Sequence, residues 1–159
     1  MRQLPQAVLI VTSKFEEEYY GLTISSATSV SLDPPLFLIC IDRKAPSLIP
    51  ILKGGTFVVN LLNEQQMNLS DQFAGRFKDR DKFRNVQFRF SEKGLPIIED
   101  IIGYLECQIW KNFGAGDHEI IIGEVLGGEM KPGSPIVYYN QSYSKVGSWE
   151  SGSEVYPPF

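Results

Sequence analysis

The apolar residues of this chain arrive in short runs of four to seven, separated by turn signals, and that pattern points to a β-rich fold. Ala7–Thr12 is short and rich in β-branched residues. Leu36–Ile41 is an unbroken apolar run bounded by "DPP" and "DRKAP". Thr56–Leu62, "TFVVNLL", follows a Gly54-Gly55 break. Between Tyr104 and Trp110, Leu105, Cys107 and Ile109 alternate with Glu106 and Gln108, the period of a strand with one face buried and one wet. Glu119–Val125 and Ile136–Tyr139 bring the set to at least six strands. Helical patterns are few. "NEQQMNLSDQFAG" predicts one helix, with Asn63 as N-cap, Gln66 completing a capping box, Met67, Leu69, Phe73 and Ala74 as its apolar stripe, and Gly75 as its stop. A second short helix is predicted over Ser47–Lys53, stopped by Gly54. Many strands with a few short helices specify a mainly β fold, an antiparallel barrel closed or partly closed.

At 159 residues and 43% hydrophobic the chain can build one core, so a single domain over residues 1–159 is expected. Residues 147–159 form a C-terminal tail whose Trp149, Tyr156 and Phe159 suit packing on the barrel or on a neighbouring subunit. A net charge of −4 argues against a general nucleic-acid binder, which needs a basic face. Cys40 and Cys107 each sit in an apolar run without a C-x-x-C pair, the pattern of two buried thiols in a reducing compartment. One histidine and scattered acids give no metal-ligand spacing. The first apolar run, Ala7 to Val11, is too short for a signal-peptide core or a membrane span, and no later run is long enough either. The expectation is a soluble, cytoplasmic protein without a membrane partner.

Three segments can carry chemistry. "GLTISSATSVSLDPP", Gly21–Pro35, concentrates Thr23, Ser25, Ser26, Thr28, Ser29 and Ser31. Read as a turn-rich connection, its hydroxyls and amides can form a neutral nest for an anion and for the polar edge of a ring system. The same residues also suit a connection that merely caps itself, and the residues alone leave both readings open. The stretch is neither a P-loop nor a G-x-G-x-x-G fingerprint. "GAGDHEIIIGEV" carries the only histidine, His118, in a turn before a strand, with Asp117 and Glu119 placed to orient the ring or favour its charged form. Basic residues form two clusters, Arg43 with Lys44, and Arg76, Lys78, Arg80 and Lys82; they are phosphate partners or solvated side chains. "FKDRDKFRNVQF", Phe77–Phe88, reads as a solvated loop.

Taken in order, "GLTISSATSVSLDPPLFLIC", "TFVVNLLNEQQMNLSDQFAG", "DKF" at Asp81–Phe83, "GDHEIIIGEV" and "PIVYYNQSY" resemble the flavin reductase-like family with the FMN-binding split barrel. The resemblance runs from about Val8 to Val146. It implies an antiparallel split β-barrel, usually a homodimer, that passes a hydride from NADH or NADPH to FMN or FAD. It also implies delivery of reduced flavin, by diffusion, to a separate monooxygenase such as one that hydroxylates 4-hydroxyphenylacetate. By the same resemblance Thr23, Ser25, Ser26, Ala27, Thr28 and Ser31 line the flavin. Cys40, Ile41 and Asp42 lie beside it, Ser47 adds a phosphate contact, and Phe73, Ala74, Arg76 and Lys82 close the pocket. His118 orients the nicotinamide and Tyr143 offers it a surface. No residue serves as a catalytic acid or base. Two departures stand out: Ala27 replaces a frequent aromatic residue, and Asp42-Arg43 fall where members of the family vary. The competing expectations are a flavin carrier or sensor without reductase activity, and an unrelated ligand-binding barrel.

Overall fold

The computed structural model describes residues 3–77 and 81–147. The tail aromatics Trp149, Tyr156 and Phe159, and Lys78 and Arg80 of the second basic cluster, lie outside the described residues. In chain order the first elements are β1 (Gln6–Ala7), β2 (Leu9–Phe15), β3 (Glu18–Ile24), β4 (Ala27–Leu32), β5 (Pro35–Asp42), α1 (Leu48–Gly54), β6 (Thr56–Leu61) and α2 (Met67–Phe73). There follow β7 (Phe88–Phe90), β8 (Pro96–Ile98), β9 (Gly103–Ala115), β10 (His118–Met130), β11 (Ile136–Tyr139) and β12 (Ser142–Lys145). Seven strands form one antiparallel sheet in the order β3-β2-β6-β9-β10-β5-β4. A smaller sheet, β1-β11-β12, and the β7-β8 pair complete the set.

The two outermost strands of the large sheet, β3 and β4, are neighbours in sequence, joined only by Ser25 and Ser26. The chain thus ties one sheet edge to the other without hydrogen-bonding them into a ladder. Inward side chains from β2, β3, β5, β6, β9 and β10 meet in one core: Leu9, Val11, Leu22, Ile24, Ile39, Ile41, Phe57, Val59, Cys107 and Ile121. A sheet whose strands share one interior in this way is a barrel, and its split runs between β3 and β4-β5. The amide of Cys40 donates to the Ser26 carbonyl at 2.9 Å, pinning the link against β5.

The opening run is apolar throughout because β2 is buried on both faces. Leu9 and Val11 point into the barrel, while Val8 and Ile10 point outward into a second core with Val58, Leu62, Phe73, Ile97 and Ile98. That outer core holds α2 against the wall. Its segment makes the interactions of a capping box, but displaced. Gln66 Oε1 accepts from the Asn63 amide at 3.1 Å, and Asn63 Oδ1 accepts from the Gln65 amide at 2.8 Å. These bonds fold a turn ahead of the helix, which begins only at Met67. Gly75 does end it, at φ +74°, a conformation glycine adopts without cost.

Three sequence expectations are corrected. Gly55, at φ +72°, stops α1, and Gly54 is the last helical residue. Gly54 is needed because a Cβ there would lie 2.5 Å from the Lys14 carbonyl. The Gly21–Pro35 stretch is mostly strand rather than a turn-rich connection, with β3 and β4 on either side of the two-serine link. The charged Phe77–Phe88 segment is not wholly solvated. Phe83 packs edge-on against Phe73 at 5.1 Å and Phe88 at 5.5 Å.

Candidate active site

A cleft of about 430 Å³ opens where the barrel is split. Its β3 wall carries Leu22, Thr23 and Ile24, the link gives Ser25 and Ser26, and the end of β5 gives Cys40, Ile41 and Asp42. The loop after β5 adds Lys44, Ala45 and Pro46. Phe73 and Ala74 close one side from α2, Lys82 comes from the following loop, and His118 sits at the start of β10. The strand ends meet there because β5 and β10 are paired at this end of the sheet. Asp42 pairs directly with His118 and Cys40 with Ile120, so alternate residues of the two strands share a face. On α2, Ser70, Phe73 and Ala74 share a face by their three- and four-residue spacing. Phe73 can approach β3 closely because Gly21 has no side chain there; a Cβ would strike its ring.

Two further depressions are continuous with the cleft. One, of about 180 Å³, shares Thr23, Ile24, Ser25 and Ala74 with it and adds Ser70, Arg76, Tyr138 and Tyr143. The other, of about 610 Å³, shares Pro46 and Lys82 and adds Tyr19, Tyr20, Ser47 and Phe77.

Ten of the residues singled out from the sequence therefore line one cleft: Thr23, Ser25, Ser26, Cys40, Ile41, Asp42, Phe73, Ala74, Lys82 and His118. Arg76 and Tyr143 line the smaller side chamber and Ser47 the larger. Ala27, Thr28 and Ser31 lie along β4 outside these three depressions, with Thr28 exposed. Lys44 enters as the candidate phosphate partner that its cluster offered, whereas Ala45, Pro46, Ser70, Asp71 and Tyr138 were not assigned to the site from the sequence. Lys44 belongs to the first basic cluster, and Ser70 stands one helical turn before Phe73 and Ala74, which is the signal that reaches it.

Several polar groups are already engaged. The Thr23 hydroxyl donates to the Ser70 carbonyl at 2.7 Å and the Ser47 hydroxyl to the Gly21 carbonyl at 3.1 Å. The Ser25 hydroxyl donates to Gln6 Oε1 at 3.1 Å. Lys82 Nζ donates to the carbonyls of Phe73 and Gly21 at 2.9 and 3.1 Å, which ties its loop to both walls and leaves its third N–H. Burial lowers the Lys82 pKa. In the side chamber the Tyr143 hydroxyl lies 2.6 Å from Asp71 Oδ1 and 2.9 Å from Ser70 Oγ. Burial first, then the bond to Asp71, raises the Tyr143 pKa. Arg76 pairs with Asp71 at 2.7 Å and stands over the Tyr143 ring at 5.9 Å.

His118 Nδ1 lies 2.7 Å from Asp117 Oδ1, and that bond holds the Asp117 carboxyl below its usual range. Glu119 does not help orient the ring. One residue further along the strand its side chain faces the other way, into the barrel end, where it meets Arg43 and Asn112. Arg43 is thereby paired, and Lys44 is the member of that cluster that reaches the cleft. The expectation of two buried thiols holds for Cys107 but not for Cys40, which is half-buried in the cleft wall. Among the described residues no group of histidine, cysteine and acid side chains could hold a metal.

Residues 1–147 match the family described as "Flavin reductase like domain", and the chain belongs to that family. It is 39% identical over 150 residues to a flavin reductase (NADH) of Kitasatospora aureofaciens, covering 91% of this chain and 78% of that protein. Its structure is similar, with a TM-score of 0.89 and 28% identity, to nitrilotriacetate monooxygenase component B from Mycobacterium thermoresistibile, covering 98% of this chain and 87% of the other. It is also similar, with a TM-score of 0.83 and 34% identity, to the flavin reductase HpaC complexed with NADP+, covering 92% and 93%.

The donor set suits a flavin. Hydroxyls at the rim match the polar edge of a ring, and Lys44 and Lys82 suit a phosphate. The cleft volume falls within the range usual for small-molecule sites.

Proposed function

We propose that the cleft at the barrel split is where this chain, an NAD(P)H-dependent flavin reductase, holds its two substrates together. Thr23, Ser25 and Ser26 meet the polar edge of the flavin ring, with Ala27, Thr28 and Ser31 extending that wall along β4. Cys40, Ile41 and Asp42 form the opposite side, and Phe73 and Ala74 shut out water from the α2 end. Lys44 and the remaining N–H of Lys82 hold the phosphate of FMN or FAD; Arg76, already paired with Asp71, contributes less. Ser47, whose hydroxyl bonds the Gly21 carbonyl, holds the loop after β5 against β3. His118, steadied by Asp117, meets the nicotinamide of NADH or NADPH, and Tyr143 offers a surface for the same dinucleotide across the shared Thr23–Ser25 wall.

When bound, the flavin supplies the hydride acceptor and the reduced nicotinamide supplies the hydride. The protein's part is to bring two flat rings to a reacting distance of about 3–3.5 Å and keep water out. No side chain needs to take or give a proton in the hydride step, in keeping with a cleft whose histidine is paired with an exposed aspartate and whose lysine ammonium is tied to carbonyls.

Reduced flavin then leaves for a separate monooxygenase, a reading supported by the likeness to a monooxygenase component. A homodimer is supported by the apolar side chains left uncovered on β4 and the β9-β10 arm: Leu32 is 93% exposed, and Val30, Trp110 and Phe113 are exposed as well. Among the described residues no helix is long and apolar enough to cross a membrane.

The observation that carries this reading is the convergence of the serine link and His118 on one cleft. His118→Ala tests it. The variant is expected to raise the KM for NADH at least tenfold while flavin affinity, read by fluorescence titration, stays within twofold. Equal losses for both substrates would place His118 in the wrong role. Flavin binding without NADH oxidation by the unaltered protein would make the chain a carrier.

A further inference from the structure

Glu119 occupies a position where the strand pattern calls for an apolar residue. It pairs with Ile41, two residues before Ile121, and both isoleucines are buried in the barrel core. Its own side chain is 10% exposed. A carboxylate in such a place is costly unless it is paired and hydrogen-bonded. Glu119 Oε2 faces Arg43 Nε at 3.4 Å, and Asn112 Nδ2 donates to Oε1 at 2.7 Å. The Arg43 guanidinium lies against the backbone of Gly114, where a Cβ would collide with it. The Arg43 amide also donates to the Asp117 carbonyl at 2.9 Å.

These contacts join two segments that lie side by side at one end of the cleft, the loop leaving β5 and the turn entering β10, just beyond the Asp42–His118 pair of their ladder. Arg43 stands between Asp42 and Lys44, and Glu119 follows His118; all three of those neighbours line the cleft, whereas Arg43, Glu119, Asn112 and Gly114 do not. Only the carboxylate end of this pair is buried, the Arg43 side chain being 54% exposed, so the pair adds little stability, and what it supplies is the placement of the two segments. We propose that Arg43 and Glu119 are a positioning pair for the hydride transfer. They lock the Asp117–His118 turn against the Asp42–Pro46 loop, setting the separation between the nicotinamide and flavin sides of the cleft. This rests on the reading of His118 as the nicotinamide contact.

Two variants test it. Glu119→Gln keeps the shape and the bond from Asn112 but removes the ion pair. The double variant Glu119→Leu with Arg43→Met replaces the pair by apolar groups of similar volume, which protects the fold. Hydride transfer is followed in single turnovers by rapid mixing of flavin-loaded protein with saturating NADH, alongside flavin affinity and thermal midpoint. Both variants are expected to slow the transfer about tenfold, with flavin affinity within twofold and the double variant's midpoint close to that of the unaltered protein. A transfer rate within twofold of the original in either folded variant overturns the proposal. So does a parallel loss of flavin affinity and rate, which would mean general damage. The unaltered protein is the control: if it fails to pass hydride from NADH to flavin, the reading of the cleft fails instead.

Discussion

Cys40 and Cys107 have the same chemistry and opposite surroundings. Cys107 lies in the barrel core, where burial, and then Glu106, push its thiol up to about 12. Cys40 is half-buried on the cleft wall, and burial raises its pKa too. Thiol labelling of the folded protein is expected to reach Cys40 slowly and to be blocked by FMN, while Cys107 labels only on unfolding; mass spectrometry of digests distinguishes the two. The Cys107 shift has a consequence for alkaline stability. An unfolded thiol ionises near 9.0, and the folded one near 12. Between those values the folded state binds more protons, so stability falls as pH rises through the window, by at most on the order of 4 kcal/mol. Denaturant unfolding of Cys107→Ala across that range is expected to show a flatter pH profile. Gly21 offers a second residue-level test. Gly21→Ala drives a methyl into the Phe73 ring, and overpacking of this kind costs about 1–3 kcal/mol. Flavin affinity is expected to fall with it, because Phe73 is also part of the cleft.

At the level of elements, the seam between β3 and β4 matters most, and it was the part of the fold least legible beforehand. The strands with plain apolar signatures, such as Thr56–Leu61 and Ile136–Tyr139, were readable because burial forces β-branched and alternating residues there. β3 and β4 sit at the sheet edges with one side toward the cleft or solvent, so Thr23, Ser29 and Ser31 occupy strand positions while looking like loop. The overall architecture was nevertheless available: strand density pointed to an antiparallel barrel, and the family resemblance carried by the joint order of the motifs implied a split one. At the site, Ser25, Ser26 and His118 could be singled out as candidates from their local chemistry, while their roles came only from the family resemblance. The Arg43–Glu119 contact and the Asp71–Tyr143–Arg76 group could not, because they join residues far apart in sequence. The seam also predicts dynamics. β4 is hydrogen-bonded on one side only, to β5, whereas β6 lies between β2 and β9. Amide hydrogen exchange is expected to be faster in β4 than in β6, and flavin is expected to slow it in the Ser25–Ser26 link and the residues that follow.

At the scale of the whole molecule, charge opposes the ligand. The protein carries a net −4, and both flavin phosphate and nicotinamide dinucleotide are anionic. On the proposed reading, binding depends on local cations, Lys44 and Lys82 in the cleft lining. FMN affinity is expected to weaken as salt rises and riboflavin affinity to change little. Lys44→Met should remove most of that difference in titrations at low ionic strength. The same scale holds the central claim: the barrel is left open along β3 and β4 so that two rings can stack in the gap. A crystal structure of the protein with flavin and oxidised nicotinamide dinucleotide tests it most directly. The expected result is an isoalloxazine between Thr23–Ser26 and Cys40–Asp42, with the nicotinamide ring on its open face beside His118. A flavin bound on any other surface, with the Ser25–Ser26 link untouched, would contradict it.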